Sequence, residues 1–228
     1  MSDIFREVDE DIRKEKYSRL WDRFGVWIIA AAVLIIAGTA GYRGWIYWES
    51  QKAQEAGDTF FEASRLADEG NYQDAQALFN QLEQSIGGYP VLARLRSATS
   101  LDQEGRKEEA LAAFDAVARD SSVAGALQDV AALRAGYLAI DLEDYSAVAD
   151  RVEGLTAAGE PFRAAAREIM AVAAWKAGDI DAARNWIEQI RDDAEAPADV
   201  TRRVGILNQV IRSQYGAPET SGEEASQE

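Results

Sequence analysis

Ala98 to Val117, ATSLDQEGRKEEALAAFDAV, reads as two helices folded back on a single turn. Gly105-Arg106-Lys107 interrupts the helical pattern, and Ala110, Phe114 and Val117 then line one face of the second helix at steps of four and three. Ala98 supplies a small side chain on the first helix, where the two members of a hairpin must approach closely. The pattern recurs. Ala75, Ala110, Val148 and Ala183 align at offsets of 35, 38 and 35 residues, and Phe79, Phe114, Val152 and Ile187 form a second column. Leu82, Val117, Leu155 and Ile190 make a third, and Ala63, Ala98, Gly136 and Ala171 stand twelve positions before each anchor as a column of small residues.

Turn signals fall between the columns, at Gly70-Asn71-Tyr72, Gly105-Arg106-Lys107, Glu143-Asp144-Tyr145 and Gly178-Asp179-Ile180. Hairpins end near Gly87-Gly88-Tyr89-Pro90, Ser121-Ser122, Gly159-Glu160-Pro161 and Pro197. The spacing is close to the period of about 34 residues of tetratricopeptide repeats. The sequence therefore predicts an all-α solenoid of about four helical hairpins. Within it, Glu49 to Leu66 and Gln73 to about Gln84 form the first pair. A last helix, Asp199 to Tyr215, has Asp199 as its expected N-cap and Gly216 as its stop, and its stripe of Val200, Val204, Leu207 and Ile211 suits a cap over the final repeat. Ala217 to Glu228 is Glu, Ser and Gly with almost no apolar content, which predicts a disordered acidic tail.

Toward the N-terminus lies Phe24 to Tyr42, FGVWIIAAAVLIIAGTAGY, nineteen residues without a charge. As a helix it is roughly 28 Å long, close to the roughly 30 Å hydrocarbon thickness of a bilayer. Trp21, Trp27, Tyr42, Trp45, Tyr47 and Trp48 place amphipathic rings where two headgroup layers would lie. A core helix apolar all round would need a large domain about it, yet 23 residues precede this one and strongly polar sequence follows. A signal peptide cleaved after Ala40 is the other alternative to an uncleaved anchor, although the segment before the span is long and interrupted by Asp9, Glu10, Asp11 and Trp21. Four regions are thus expected: 1–23 cytoplasmic, 24–42 transmembrane, 43–216 repeats and 217–228 tail. In the first, Ile4, Phe5, Val8 and Ile12 share a helical face and Arg13, Lys14, Lys16, Arg19 and Arg23 crowd toward the span, either as a topology determinant or as a docking helix for a membrane partner.

Charge gives the orientation. Ile4 to Arg23 holds six Lys and Arg, whereas Arg43 to Glu62 holds two, so the N-terminus is expected to stay in the cytoplasm and the rest to be exported, in a bacterium to the periplasm. Met1 to Lys52 balances 8 basic against 8 acidic residues, leaving the whole net charge of −16 on the segment after it. Such a domain repels nucleic acid and anionic headgroups.

The chain has no His and no Cys, which removes imidazole and thiol nucleophiles, disulfides and the usual ligands of zinc, haem and copper. Neither a Gly-x-Ser-x-Gly elbow nor a phosphate-binding glycine loop occurs. Acidic runs at Asp141-Leu142-Glu143-Asp144 and Asp192-Asp193-Ala194-Glu195 lack calcium-loop spacing and read as solvated turns. No catalysis, cofactor, metal or small-molecule substrate is expected. What remains is surface: on the repeat frame Phe60, Ser64, Leu95, Thr99, Leu133, Tyr137, Glu168 and Trp175 face the concave groove. Phe60, Tyr137 and Trp175 are either partner anchors or packing between repeats.

The opening SDIFREVDEDIRKEKYSRLWDRFG, one anchor and four degenerate hairpins together resemble the tetratricopeptide-like ancillary subunit of the bacterial Sec translocon, a family of inner-membrane proteins. The block from Ile4 to Gly25 is the most specific part of the likeness. The resemblance implies association with translocon channel subunits and with a membrane-anchored periplasmic chaperone of the prolyl-isomerase type, and a part in passing exported proteins to folding factors. A scaffold for cell-envelope or division complexes would share every residue pattern above.

Overall fold

A computed structural model describes the backbone of residues 3–216 and the side chains of residue 21 and residues 23–216. The amphipathic face and basic cluster expected before Trp21, and the tail expected from Ala217, concern side chains or residues outside those described. Among the described residues there is no strand. The helices are α1 Asp3–Asp68, α2 Tyr72–Leu82, α3 Tyr89–Gln103, α4 Lys107–Ala118, α5 Gly125–Leu142, α6 Tyr145–Val152, α7 Arg163–Lys176, α8 Ile180–Arg191 and α9 Ala198–Tyr215. A short 3₁₀ turn, Glu153–Thr156, follows α6.

The chain divides into two compact units between Glu55 and Ala56. In the first, α1 passes residues 23–24 and 42–43 without a break. Its apolar stretch carries almost no cover: Val26 is 78% exposed and Leu34 72%. Within it, Thr39 Oγ1 donates to Ile35 O at 2.7 Å, so its hydroxyl is satisfied inside the helix. The helix is long and apolar enough to cross a membrane. Just past the apolar stretch Trp45 and Trp48 lie 5.7 Å apart, and the Lys52 ammonium sits 3.7 Å from the centre of the Trp48 ring.

In the second unit three of the four repeat columns are wholly interior. Ala63, Ala98, Gly136 and Ala171 are buried, as are Ala75, Ala110, Val148 and Ala183, and the Phe79, Phe114, Val152, Ile187 column. Gly136 shows why the small column is small: a Cβ there would stand 2.6 Å from Val152 Cγ1. In the third column Leu155 departs, half-buried in the 3₁₀ turn while Leu82, Val117 and Ile190 are buried in or beside α-helices. Three hairpins close with one device. Gly70, Gly105 and Gly178 adopt φ of 83°, 88° and 82°, and Asn71, Arg106 and Asp179 N–H donate back five residues to Leu66, Leu101 and Ala174 carbonyls. The third hairpin instead turns at Asp144, whose Oδ1 accepts from Ala147 N at 2.9 Å and caps α6.

Successive helices from α2 to α9 pack on one another, and α5, α7 and α9 also pack in a row. Val200, Val204 and Ile211 of α9 are buried against α7 and α8 residues, as a capping helix requires. Asp199 is not its N-cap. Pro197 holds that position, and Asp199 lies in the first turn bound to Arg203, because the helix starts at Ala198.

Candidate functional site

The eight residues expected in the groove separate by depth. Tyr137 on α5 is 41% exposed, while Thr99 on α3 and Trp175 on α7 are half-buried. Thr99 Oγ1 donates to Leu95 O at 3.0 Å, so its hydroxyl is satisfied within α3. Trp175 packs against the core around α8 and α9. Leu95 fills space between the clusters of the second and third repeats. Two of the eight are pulled further inward than the rest. Leu133 is 7% exposed and Glu168 5%. The half-buried Phe60 ring packs at 6.1 Å from Phe79 and 6.2 Å from Tyr89, and half-buried Ser64 has its hydroxyl oxygen out of solvent. The cause is geometric: the repeats are alanine-rich, so adjacent first helices approach closely and large side chains in the inner columns are used to fill the seams.

A carboxylate at the row of α5, α7 and α9 organises this face. Buried Glu168 accepts from Arg203 Nε and Nη2, both at 2.6 Å, and from the Tyr137 hydroxyl at 3.1 Å. Arg203 also holds Asp199 at 2.8 Å. Such a bidentate pair with a third donor satisfies the buried charge. Burial, and next the Glu168 charge, push the Tyr137 phenol up to about 12. The phenol is therefore neutral and held by its hydroxyl while the side chain stays partly exposed. Arg203 lies off the α9 stripe of Val200, Val204, Leu207 and Ile211, and nothing in that stripe points to a partner on α7. Leu92, 40% exposed on α3, is a further apolar surface residue that the groove set omitted.

The acidic runs are not free turns. Asp193 accepts from Arg163 Nε at 2.6 Å, Glu195 accepts from the same guanidinium at 2.7 Å, and Asp141 accepts from Lys176 at 3.1 Å. Their hydrogen bonds to these cations hold the Asp193 and Asp141 carboxyls below the usual range. The sequence offered a signal for part of this: Arg94 with Asp120 and Arg167 with Asp193 share a spacing of 26 residues. Among the described residues no group of three or more side chains is placed to hold a metal ion. What the surface offers is recognition by shape, aromatic contact and charge.

Neither a curated protein nor a solved structure matches the chain. The family profile described as tetratricopeptide repeat-like domain matches residues 18–202, a span running from α1 into α9. Domains of this kind are typically non-enzymatic scaffolds for protein–protein interaction. With the repeat columns buried at every position but Leu155 and the match covering most of its length, the chain belongs to the tetratricopeptide repeat-like domain family.

Proposed function

We propose that the protein is a membrane-tethered binding scaffold of the bacterial inner membrane, with its N-terminus in the cytoplasm and its repeats in the periplasm. It works beside the protein-export channel and helps pass exported proteins to periplasmic chaperones. The observation that carries the tether is the bare apolar stretch of α1, where large side chains such as Val26 and Leu34 have no protein cover in a chain whose repeats bury theirs. The excess of Lys and Arg before the span supports the orientation. The resemblance of Ile4 to Gly25 to the ancillary translocon subunits supports the partners.

Tethering supplies the mechanism. Confinement to the membrane raises the effective concentration of the repeats beside their partners, so weak and quickly broken contacts suffice. Tyr137 is the lead contact of the groove, since its hydroxyl is pinned to Glu168 and its ring loses little freedom on binding. Thr99, Leu95 and Trp175 extend that face, and Phe60, Ser64, Leu133 and Glu168 support it from beneath. Affinity purification of the full chain from solubilised membranes tests the reading. Recovery of channel subunits or a chaperone is expected, and recovery of division proteins without them would overturn it in favour of an envelope scaffold. Protease added to spheroplasts should digest the domain after Lys52, and full protection would overturn the orientation.

A further inference from the structure

In the second and fourth repeats an arginine of the first helix is clamped at the foot of its hairpin. Arg94 Nη1 donates to Asp120 Oδ2 at 2.6 Å, and Arg167 Nη1 to Asp193 Oδ2 at 3.4 Å, each across 26 residues. Each also donates to a carbonyl 22 residues on, Arg94 to Ala116 O and Arg167 to Gln189 O, both at 3.3 Å. Arg167 Nε adds Thr156 O, at the end of the preceding hairpin, at 3.0 Å. In the third repeat the same columns hold Ala132 for the arginine, Ala158 for the aspartate and Gly154 for the carbonyl residue, while Ala118 takes the place of Thr156. Ala132, Gly154 and Ala118 line an open cleft of about 490 Å³ among α4, α5 and α6. The third repeat keeps the backbone walls of an arginine seat and lacks the arginine.

Its charges are unbalanced in the matching sense. Asp115, Asp129, Glu143 and Asp150 line the cleft with two cations, Arg119 and Arg151. Arg151 is spent on Asp115 at 2.9 Å and Glu143 at 2.5 Å, and Arg119 reaches Asp115 at 3.3 Å. Among the described residues Asp129 and Asp150 have no hydrogen-bond or ion-pair partner. Two carboxylates without counter-charges thus line one cleft with Ala118 and Gly154, the residues in the columns of Thr156 and Gln189, whose carbonyls bind the Arg167 guanidinium in the fourth repeat. A planar fork with several divergent donors fits such a set better than an ammonium does.

We propose that the third-repeat cleft receives an arginine side chain from a protein partner, bound by the carbonyls of Ala118 and Gly154 and the carboxylates of Asp129 and Asp150. This rests on the reading of the protein as a binding scaffold, and it uses none of the eight groove residues. The test is fluorescence anisotropy of the full chain in detergent with a dye-labelled, end-blocked Gly-Gly-Arg-Gly-Gly peptide and its citrulline counterpart. The arginine peptide should bind about tenfold more tightly than the citrulline one, since charge-assisted bonds are lost in the latter. Ala132→Arg should abolish that binding, and Asp129→Asn with Asp150→Asn, checked for unchanged helicity, should weaken it several-fold. Equal binding of both peptides, no binding of the arginine peptide, or full binding by Ala132→Arg would each overturn the proposal. Equal recovery of membrane partners by wild type and Ala132→Arg would overturn the cleft as a partner site and leave the scaffold reading standing. Failure of both to recover any partner would overturn the scaffold reading, and the peptide arms would then judge the cleft on their own.

Discussion

The third and fourth repeats bury Val148 and Ala183, Val152 and Ile187, and Gly136 and Ala171 in the same way, yet they are finished differently at both ends. The fourth turns on Gly178 with φ of 82°, continues α8 unbroken to Arg191, and closes its foot with Arg163 and Arg167 on Asp193. The third turns on a capping Asp144, passes from α6 into a 3₁₀ turn at Glu153, and has alanines in the columns of Arg167 and Asp193. The lesson is that the hairpin is specified by its buried columns. Turns and feet have several adequate solutions, and a repeat released from one of them is free to present a surface.

The comparison can be broken first where the two repeats share a core. Ile169 of α7 is fully buried in the cluster that also contains Val148 and Val152, so Ile169→Ala should cost roughly 2–5 kcal/mol in urea unfolding. A loss below that range would show that the third repeat does not depend on the fourth. Next come the small-column residues. Gly136→Ala forces a methyl toward Val152 Cγ1 at 2.6 Å and should destabilise by roughly 1–3 kcal/mol, whereas Ala171 already carries its methyl at the equivalent position. A neutral Gly136→Ala would mean that the third seam is no tighter than the fourth.

Smaller effects concern the feet. Arg167→Ala should cost about 1 kcal/mol by releasing its bonds to two carbonyls and Asp193, while Ala132→Arg in the third repeat should not destabilise at all. The smallest is a pH effect. Hydrogen bonds from Ser122 and then Arg94 hold Asp120 down to about 2, below its ordinary 3.8. A carboxyl lowered in the folded state stabilises fully above the unfolded value and loses that contribution as pH falls through the folded one. Asp120→Asn should therefore flatten the stability profile between about pH 4 and pH 2, and Ala158, in the same column of the third repeat, contributes no such slope.

Much of this architecture was legible because it depends on periodicity. Apolar residues spaced along helices, small residues twelve positions earlier and turn signals, three with Gly and one at Asp144, located the four hairpins and the cap, with boundaries shifted by a residue or two at α2 and α9. The groove set was less legible. Position in a repeat shows which face a residue starts from, but how deep it sinks depends on the sizes of its neighbours on other helices. Leu133 and Glu168 went inward for that reason, and Phe60 turned to Phe79 and Tyr89. The Tyr137, Glu168 and Arg203 network joins residues 31 and 35 positions apart on three helices, and no local pattern marks it.

The sequence alone determined that the chain is helical, that its second part is a repeat array, and that one uncharged stretch is suited to a bilayer. These are matters of period, length and transfer free energy, each set by residues near one another in the chain. Only the tertiary structure decided which carboxylates are paired and which stand free. That outcome depends on distances between helices, and through them Arg167 meets Asp193 in the fourth repeat while Asp129 and Asp150 stay unpaired in the third.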